Sequence, residues 1–235
     1  MSEPMRTAVE IAFNIAYLIT IWGLVVDMYG RRRSVRFAER PVALHFRRAF
    51  ALLAAGDTGH VGFRVVAFLL GGLEANAWLV GLGTLATAVT ITLFYVWLLV
   101  IWQERNMTSY GWVGAGLLLT AAIRLVILTF PQNQWGLVVP PHTWSLYRNL
   151  PLVVQGVGVM LLILSSAARR RDSLFLWLGV LIGLSHAFYL PVILYVQQVP
   201  WVGMLMIPKT LAYLGMAAIV YQRMYVRAAP PAWRG

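Results

Sequence analysis

Residues 77–102, AWLVGLGTLATAVTITLFYVWLLVIW, form a run of 26 residues without a single charged side chain. A helix needs about 20 apolar residues to cross the hydrocarbon core of a bilayer, so this run predicts a transmembrane helix. Helices are the expected spanning form because lipid offers no partners for backbone polar groups. Together with six similar runs, it predicts an all-α bundle of seven transmembrane helices that forms one domain over residues 1–235. The other runs cover residues 8–28, 43–73, 110–130, 151–168, 174–196 and 202–222.

The composition of the whole chain agrees with a membrane protein. Hydrophobic residues make up 60% of it and charged residues only 11%, whereas soluble domains carry about 25% charged residues. These values exclude a soluble domain, a disordered chain and a nucleic-acid-binding module. Cysteine is absent, which excludes a disulfide framework, a thiolate metal site and a cysteine nucleophile.

The placement of the basic residues predicts the orientation of the bundle. Fourteen of the 19 basic residues follow the first, third, fifth and seventh spans, and only Arg6 and Arg148 lie on the other side. Cytoplasmic loops carry such an excess, so we expect the N-terminus outside and the C-terminus in the cytoplasm. The net charge of +11 is then mainly a topology signal that also suits anionic lipid headgroups. Arginine-rich, lysine-poor usage suggests a GC-rich bacterial genome, and we expect the protein in a bacterial inner membrane.

The predicted spans contain polar residues that are costly in lipid and are therefore functional candidates. In GDTGHVGFR (56–64), Asp57, His60 and Arg64 follow an i, i+3, i+7 spacing that puts them on one helical face. The candidates on the other spans and their mouths are Glu10, Asn14, Arg124, Arg148, Asn149, Gln155, His186, Tyr189 and Lys209. All are predicted to lie between the membrane midplane and the outer surface. We therefore expect one polar cavity that opens outward, the alternative being structural pairs of Asp57 with Arg64 or Lys209.

The charges of this cavity predict its ligand. The cations Arg64, Arg124, Arg148 and Lys209 outnumber the acids Glu10 and Asp57, which favours an anionic small molecule or an amphiphile with an acidic head. Asp57, His60, His186 and Lys209 are the candidates for chemistry. The remaining residues are candidates for ligand binding. The expected partners are membrane lipids and this ligand. Assembly into a homo-oligomer is left as an open alternative. No particular cofactor is indicated.

Two local features of the bundle can also be predicted from the sequence. Residues 131–150, PQNQWGLVVPPHTWSLYRNL, are expected to form the longest outer loop, a partly ordered cap on the membrane interface. The glycines of the second and third spans are expected to let helices approach each other closely. These glycines are Gly56, Gly59, Gly62, Gly81 and Gly83.

One functional hypothesis is an intramembrane enzyme that acts on a lipid. Asp57, His60 and His186 could hold a metal ion, or Asp57 and His60 could act as general acid and base with Ser185 or Thr58 nearby. Seven spans with buried Asp, Ser and His resemble the superfamily of alkaline ceramidases and adiponectin receptors. That superfamily places two zinc-binding histidines on its last span, whereas residues 202–222 contain none, so its zinc site is not implied here.

A second hypothesis is a retinal protein, and a third is a transporter or receptor for a small anion. Lys209 is the only lysine and lies within the seventh span, which resembles microbial rhodopsins and implies a Schiff base on that residue. The chain departs from that family because residues 77–102 lack a carboxylate and Leu205 stands one turn before the lysine. Asp57 would then have to be the counterion.

A more specific resemblance is to a group of bacterial seven-span proteins without an assigned function. It rests on the GD-x-x-H-x-x-x-R signature at 56–64, the threonine-containing TITLFYVWL at 90–98, PQNQW at 131–135 and YRNLP at 147–151. The resemblance implies that seven polar residues of this chain belong to one site. They are Asp57, His60, Arg64, Arg124, Asn133, Arg148 and Asn149.

Overall fold

The structure is a computed structural model that describes the backbone of residues 3–227 and the side chains of residues 12–227. Between Glu3 and Arg227 it is helical with short connections, and no residue of that range lies in a strand. The helices are α1 Glu3–Gly30, α2 Arg40–Leu69, α3 Ala77–Asn106, α4 Gly111–Leu128, α5 His142–Arg170, α6 Ser173–Tyr195 and α7 Met206–Val220. A 3-10 segment, Pro200–Leu205, precedes α7, and a π-helical turn, Tyr221–Val226, follows it.

Within the described part of the chain, seven segments are long and apolar enough to cross a membrane, and each covers all or most of one α-helix. Large apolar side chains on their outer surfaces remain exposed, among them Ile19 at 69%, Leu119 at 62% and Leu161 at 57%. Such an apolar outer surface suits lipid rather than water. The all-helical, multi-pass architecture predicted from the sequence is therefore confirmed.

The prediction of an outer loop over residues 131–150 is wrong for its second half. Helix α5 begins at His142, directly after Pro141, and continues through Pro151. A proline at the first helical position is common, which is why the sequence suggested a start at Pro151. Inside a helix, proline removes one hydrogen bond to the preceding turn, and membrane helices tolerate this loss when neighbouring groups compensate.

The closest helix packing in the bundle joins α2 to α3. A Cβ added to Gly83 would lie 3.0 Å from the carbonyl oxygen of Gly59, so only glycine fits there without a shift. Thr87 donates a hydrogen bond of 2.9 Å from α3 to the carbonyl of Gly56 on α2. The predicted role of small residues holds at these positions but not at Gly62, where an added Cβ would meet nothing within 4 Å.

Alternating helix directions give the bundle two faces. We call the face with the connections at 70–76, 129–141 and 196–205 the upper face, and the opposite one the lower face. Upper connections contact each other, since the Gln197 side chain donates to the Pro140 carbonyl at 2.8 Å. Lower connections do so as well, because Arg105 forms ion pairs with Asp172 at 2.8 Å and Glu39 at 3.5 Å.

The lower half of the bundle has an aromatic core. Phe46, Phe50 and Phe94 are fully buried, and the ring of Phe50 lies 6.0 Å from that of Phe46 and 6.1 Å from that of Phe94. The chain of aromatic contacts continues upward from Phe94 to Tyr213, with ring centroids 5.7 Å apart. This apolar packing forms the floor beneath the polar half of the molecule.

Candidate functional site

A cavity of about 490 Å³ opens in the upper half of the bundle, and all seven α-helices contribute to its wall. Its polar lining is provided by Asn14, Tyr17, Asp57, His60, Arg64, Thr84, Thr87, Arg124, Arg148, Asn149, Tyr189, Lys209, Thr210 and Tyr213. Apolar residues such as Phe13, Leu53, Ile91 and Leu152 complete the surface. Polar side chains from separate helices therefore meet around one space, as the sequence predicted.

Most of the predicted site residues line this cavity. They are Asn14, Asp57, His60, Arg64, Arg124, Arg148, Asn149, Tyr189 and Lys209. Gln155 and His186 are buried but do not line it. The side chain of Glu10 lies outside the described residues.

Asp57 is held in place by a tyrosine from the neighbouring helix. The Tyr17 hydroxyl donates a 2.7 Å hydrogen bond to Oδ2 of Asp57, and Tyr17 is only 4% exposed. The adjacent Thr58 accepts a hydrogen bond of 2.9 Å from the Trp22 indole, which ties α1 to α2 a second time. Tyr17 lies three residues after Asn14, which puts both side chains on the same helical face.

Lys209 reaches the cavity from the first turn of α7. Its Nζ lies 4.5 Å from the ring centroid of Tyr189 and 5.5 Å from that of Tyr213, so both rings stabilise the ammonium by cation–π interactions. No carboxylate of residues 12–227 lies within 4 Å of Nζ. Asp57 lines the same space without forming an ion pair with Lys209 or Arg64, which is evidence against the alternative of structural pairs.

Arg124 has a structural role that its sequence position did not reveal. Its Nε donates to the carbonyl of Arg148 at 2.7 Å, and its Nη1 donates to the carbonyl of Ala88 at 2.8 Å and to the Thr92 hydroxyl. The residue is 2% exposed. Its guanidinium therefore connects α3, α4 and α5 and at the same time places a fixed positive charge in the cavity wall.

Arg148 and Asn149 form the upper part of the wall on α5. The guanidinium of Arg148 lies 4.6 Å from the ring centroid of Trp135, and its Nη1 is buried without a hydrogen-bond partner. Asn149 accepts a hydrogen bond of 3.0 Å from the hydroxyl of Tyr189. Arg148 consequently keeps a donor that a ligand could satisfy.

Asn133 does not join the site, although the resemblance to the bacterial seven-span group implied that it would. Its amide donates to the carbonyls of Ile127 at 2.7 Å and Phe130 at 3.0 Å. The first carbonyl belongs to the last turn of α4, and the second lies just beyond the end of that helix. Asn133 therefore stabilises the turn after α4, and the other residues of that implied set line the cavity.

The two candidate histidines have different surroundings. His60 lines the cavity, and its Nδ1 is buried without a partner. His186 lies behind the wall, where its Nδ1 is 3.0 Å from the carbonyl oxygen of Ile182 and its ring packs edge-on against Tyr95. Tyr95 in turn shares a hydrogen bond of 2.9 Å with Tyr213, which does line the cavity. His186 can reach a ligand only through these tyrosines.

Asp57, His60 and His186 are not brought together around one point where all three could bind a metal ion. Among the described residues, no group of three or more His, Asp or Glu side chains is close enough to bind a metal ion. The physical reason is that the i+3 spacing brings Asp57 and His60 to the cavity, whereas the His186 ring is turned toward Tyr95.

Comparisons with known protein families, curated proteins and solved structures give no significant match. The resemblances described from sequence motifs therefore stay predictions. The geometry and charge of the cavity are what indicate a function.

Proposed function

We propose that the upper cavity binds an anionic amphiphile or a related small anionic molecule. The observation that carries this proposal is the charge of the wall, where Arg64, Arg124, Arg148 and Lys209 face a space that contains the carboxylate of Asp57. No ion pair within residues 12–227 neutralises any of these four cations. Charged groups at membrane depth are costly, and a bound anion offsets that cost.

An amphiphile fits the remainder of the lining. Phe13, Leu53, Ile91, Leu152 and Ile207 offer apolar surface beside the charged groups. The volume of about 490 Å³ falls within the range of about 300–1,000 Å³ that is usual for small-molecule sites. An acidic headgroup would lie against the arginines and Lys209, with its apolar part against these side chains.

The proposed location is a bacterial inner membrane, with the upper face outside and the lower face in the cytoplasm. The arginines that follow α1, α3 and α5 support this orientation because cytoplasmic loops carry an excess of positive charge. The cavity would then receive its ligand from the outer side of the membrane. A lipid of the outer leaflet is the simplest source.

The same site could act chemically on its ligand. Asp57 and His60 both face the cavity, which is the arrangement that general acid–base catalysis requires. The hydrogen bond from Tyr17 fixes the orientation of the Asp57 carboxylate. Lys209 lies close enough to the tyrosine rings to stay ordered while it holds an anionic group.

A retinal protein is the second candidate, favoured by the position of Lys209. The only lysine of the chain projects into the upper cavity between two aromatic rings. If retinal is bound as a Schiff base, the purified protein will show a visible absorption band that hydroxylamine bleaches. A colourless protein that takes up no added retinal would exclude this candidate.

Native mass spectrometry of the purified protein with added phosphatidylglycerol tests the proposed anion site. We expect Lys209→Met and Arg148→Gln each to weaken binding at the cavity about tenfold, the effect of removing one charged contact worth about 1.4 kcal/mol. Arg169→Gln is the matched control because Arg169 is exposed on the lower face. Competition with a small organic anion such as citrate distinguishes an amphiphile site from a site for small anions.

Two results would contradict the anion proposal. One is wild-type protein that binds phosphatidylglycerol and phosphatidylcholine equally at the cavity. The other is an equal loss of binding in Lys209→Met and Arg169→Gln, because nonspecific charge would then explain the affinity. A loss confined to the cavity variants would support it.

A further inference from the structure

A second concave site lies at the lower end of the bundle, far from the cavity described above. It is a groove of about 480 Å³ between the 3-10 segment Arg31–Ser34 and the first turns of α2. Its wall consists of four arginines and two apolar residues, which are Arg32, Arg33, Arg40, Arg47, Pro41 and Leu44.

The helical spacing of α2 brings the residues of one wall together. Arg40, Leu44 and Arg47 follow an i, i+4, i+7 pattern, so two guanidinium groups flank an apolar side chain on one face. Arg32 and Arg33 approach from the opposite side. The groove therefore combines concentrated positive charge with a short apolar strip.

Arg47 is the most buried residue of this groove. It is only 8% exposed, and its Nε is buried without a hydrogen-bond partner. Its Nη1 lies 3.4 Å from the hydroxyl of Tyr225, and its guanidinium lies 5.4 Å from the ring centroid of Tyr29. The two tyrosines fix the guanidinium in position while one of its donors stays available.

The acidic residues near the groove are engaged elsewhere. Asp27 forms an ion pair of 2.9 Å with Arg31, and Glu39 pairs with Arg105 at 3.5 Å. Within residues 12–227, no carboxylate lies within 4 Å of any of the four groove arginines. The positive charge of the groove is therefore not neutralised by the described part of the chain.

We propose that this groove binds the phosphate of an anionic phospholipid from the leaflet at the lower face. Both of its walls belong to the membrane-spanning segments Ala12–Ser34 and Phe37–Leu69, so it lies where lipid headgroups meet the protein. Arginine donors match phosphate geometry. The phosphate contacts Arg40 and Arg47, and the first carbons of an acyl chain lie against Pro41 and Leu44. This site is independent of the anion site in the upper cavity.

The proposal is tested by native mass spectrometry of delipidated protein with phosphatidylglycerol and phosphatidylcholine of the same acyl chains. We expect the double variant Arg40→Gln/Arg47→Gln to bind phosphatidylglycerol about 25-fold more weakly at this site, at about fivefold for each arginine near the membrane surface. The control is Arg36→Gln/Arg48→Gln, which removes two exposed arginines of the same region that do not line the groove. Lys209→Met should not change phosphatidylglycerol binding at the lower groove, because Lys209 lines the upper cavity.

Three outcomes would overturn the proposal. They are equal losses in the two double variants, equal binding of the two lipids at this site, and displacement of the lipid by glycerol 3-phosphate at similar concentration, which would indicate a soluble anion. If the Arg47 substitution prevents folding, Arg32→Gln/Arg33→Gln provides the same comparison because both residues are exposed. That variant should still lose phosphatidylglycerol relative to the control.

Discussion

The same helices form the upper and lower halves of the bundle. They surround a polar cavity in the upper half and pack around an aromatic core in the lower half. In the upper half, α2 contributes Asp57, His60 and Arg64 to a cavity of about 490 Å³. About two and three turns below Asp57, the same helix buries Phe50 and Phe46 completely in aromatic contacts. Aromatic packing joins these helices in the lower half. In the upper half, Arg124 also joins helices through its hydrogen bonds, whereas Arg64 and Lys209 line the cavity without such a bond to any residue of 12–227 and are better explained by ligand binding.

The largest expected effect comes from a substitution in the aromatic core of the lower half. It tests whether this core provides most of the stability of the bundle. Phe50→Ala should lower the free energy of unfolding by about 3 to 5 kcal/mol, because it leaves a void between the buried rings of Phe46 and Phe94. Titration of the purified protein with sodium dodecyl sulfate measures this loss. Binding of anion to the folded fraction should stay close to that of the wild type.

Phe68→Ala is the matched control for Phe50→Ala. Phe68 lies on the same helix but is 65% exposed at its upper end, so its removal should cost less than about 1 kcal/mol. Equal losses in the two variants would mean that the aromatic core is not the base of the bundle.

The next largest effect distinguishes the hydrogen bonds of Arg124 in the upper half from its positive charge. Arg124→Lys keeps the positive charge but cannot reproduce hydrogen bonds to the Arg148 carbonyl, the Ala88 carbonyl and Thr92 together. Hydrogen bonds of charged groups contribute about 1.5–3 kcal/mol each, and lysine retains part of them. We expect a loss of about 2 kcal/mol in the free energy of unfolding, with anion binding reduced less than by Lys209→Met.

Arg64→Lys provides the comparison for Arg124→Lys. Arg64 also lines the cavity, but it donates no hydrogen bond to any residue of 12–227. The same substitution should therefore change the free energy of unfolding by less than about 0.5 kcal/mol. If Arg64→Lys is as destabilising as Arg124→Lys, the hydrogen bonds of Arg124 do not explain its contribution to stability.

Much of this comparison could be predicted from the sequence. Long apolar runs predict spans, and the i, i+3, i+7 spacing of Asp57, His60 and Arg64 predicts a shared face that does line the cavity. Depth along a helix is readable in the same way, because each residue advances the helix by about 1.5 Å. These properties depend on neighbours along one helix only.

Other properties depend on contacts between helices and could not be predicted. Depth alone placed His186 and Gln155 in the site, but rotation about the helix axis turns His186 toward Tyr95. Gln155 is turned toward α3, where its amide lies 3.4 Å from the Thr92 carbonyl. The backbone carbonyls that accept hydrogen bonds from Arg124 could not be predicted from the sequence either, since every residue type has a carbonyl. The start of α5 before Pro151 was missed for a similar reason, because neighbouring helices decide whether a proline is tolerated.

The smallest expected effect concerns the ion pairs that join the lower connections. Arg105 contacts Oδ2 of Asp172 through both Nε and Nη2, at 2.9 and 2.8 Å, and its Nη1 lies 3.5 Å from Glu39. The Arg105 side chain is 29% exposed, and such partly solvated pairs contribute up to about 1 kcal/mol. Arg105→Gln should lower the free energy of unfolding by about that amount, less at 1 M salt because of screening, and leave anion binding unchanged.

A double-mutant cycle with Asp172→Asn isolates the ion pair from the helix cap at the same residue. Oδ1 of Asp172 accepts hydrogen bonds from the backbone amides of Leu174 and Phe175, at 3.1 and 3.3 Å, and the asparagine carbonyl can keep this contact. The coupling between the two substitutions should therefore report the Arg105–Asp172 pair and shrink with added salt. A coupling near zero at low salt would show that the ion pair adds nothing and that apolar packing stabilises the lower half. A change in anion binding would show instead that the two halves are not independent, which would undermine the assignment of ligand binding to the upper half alone.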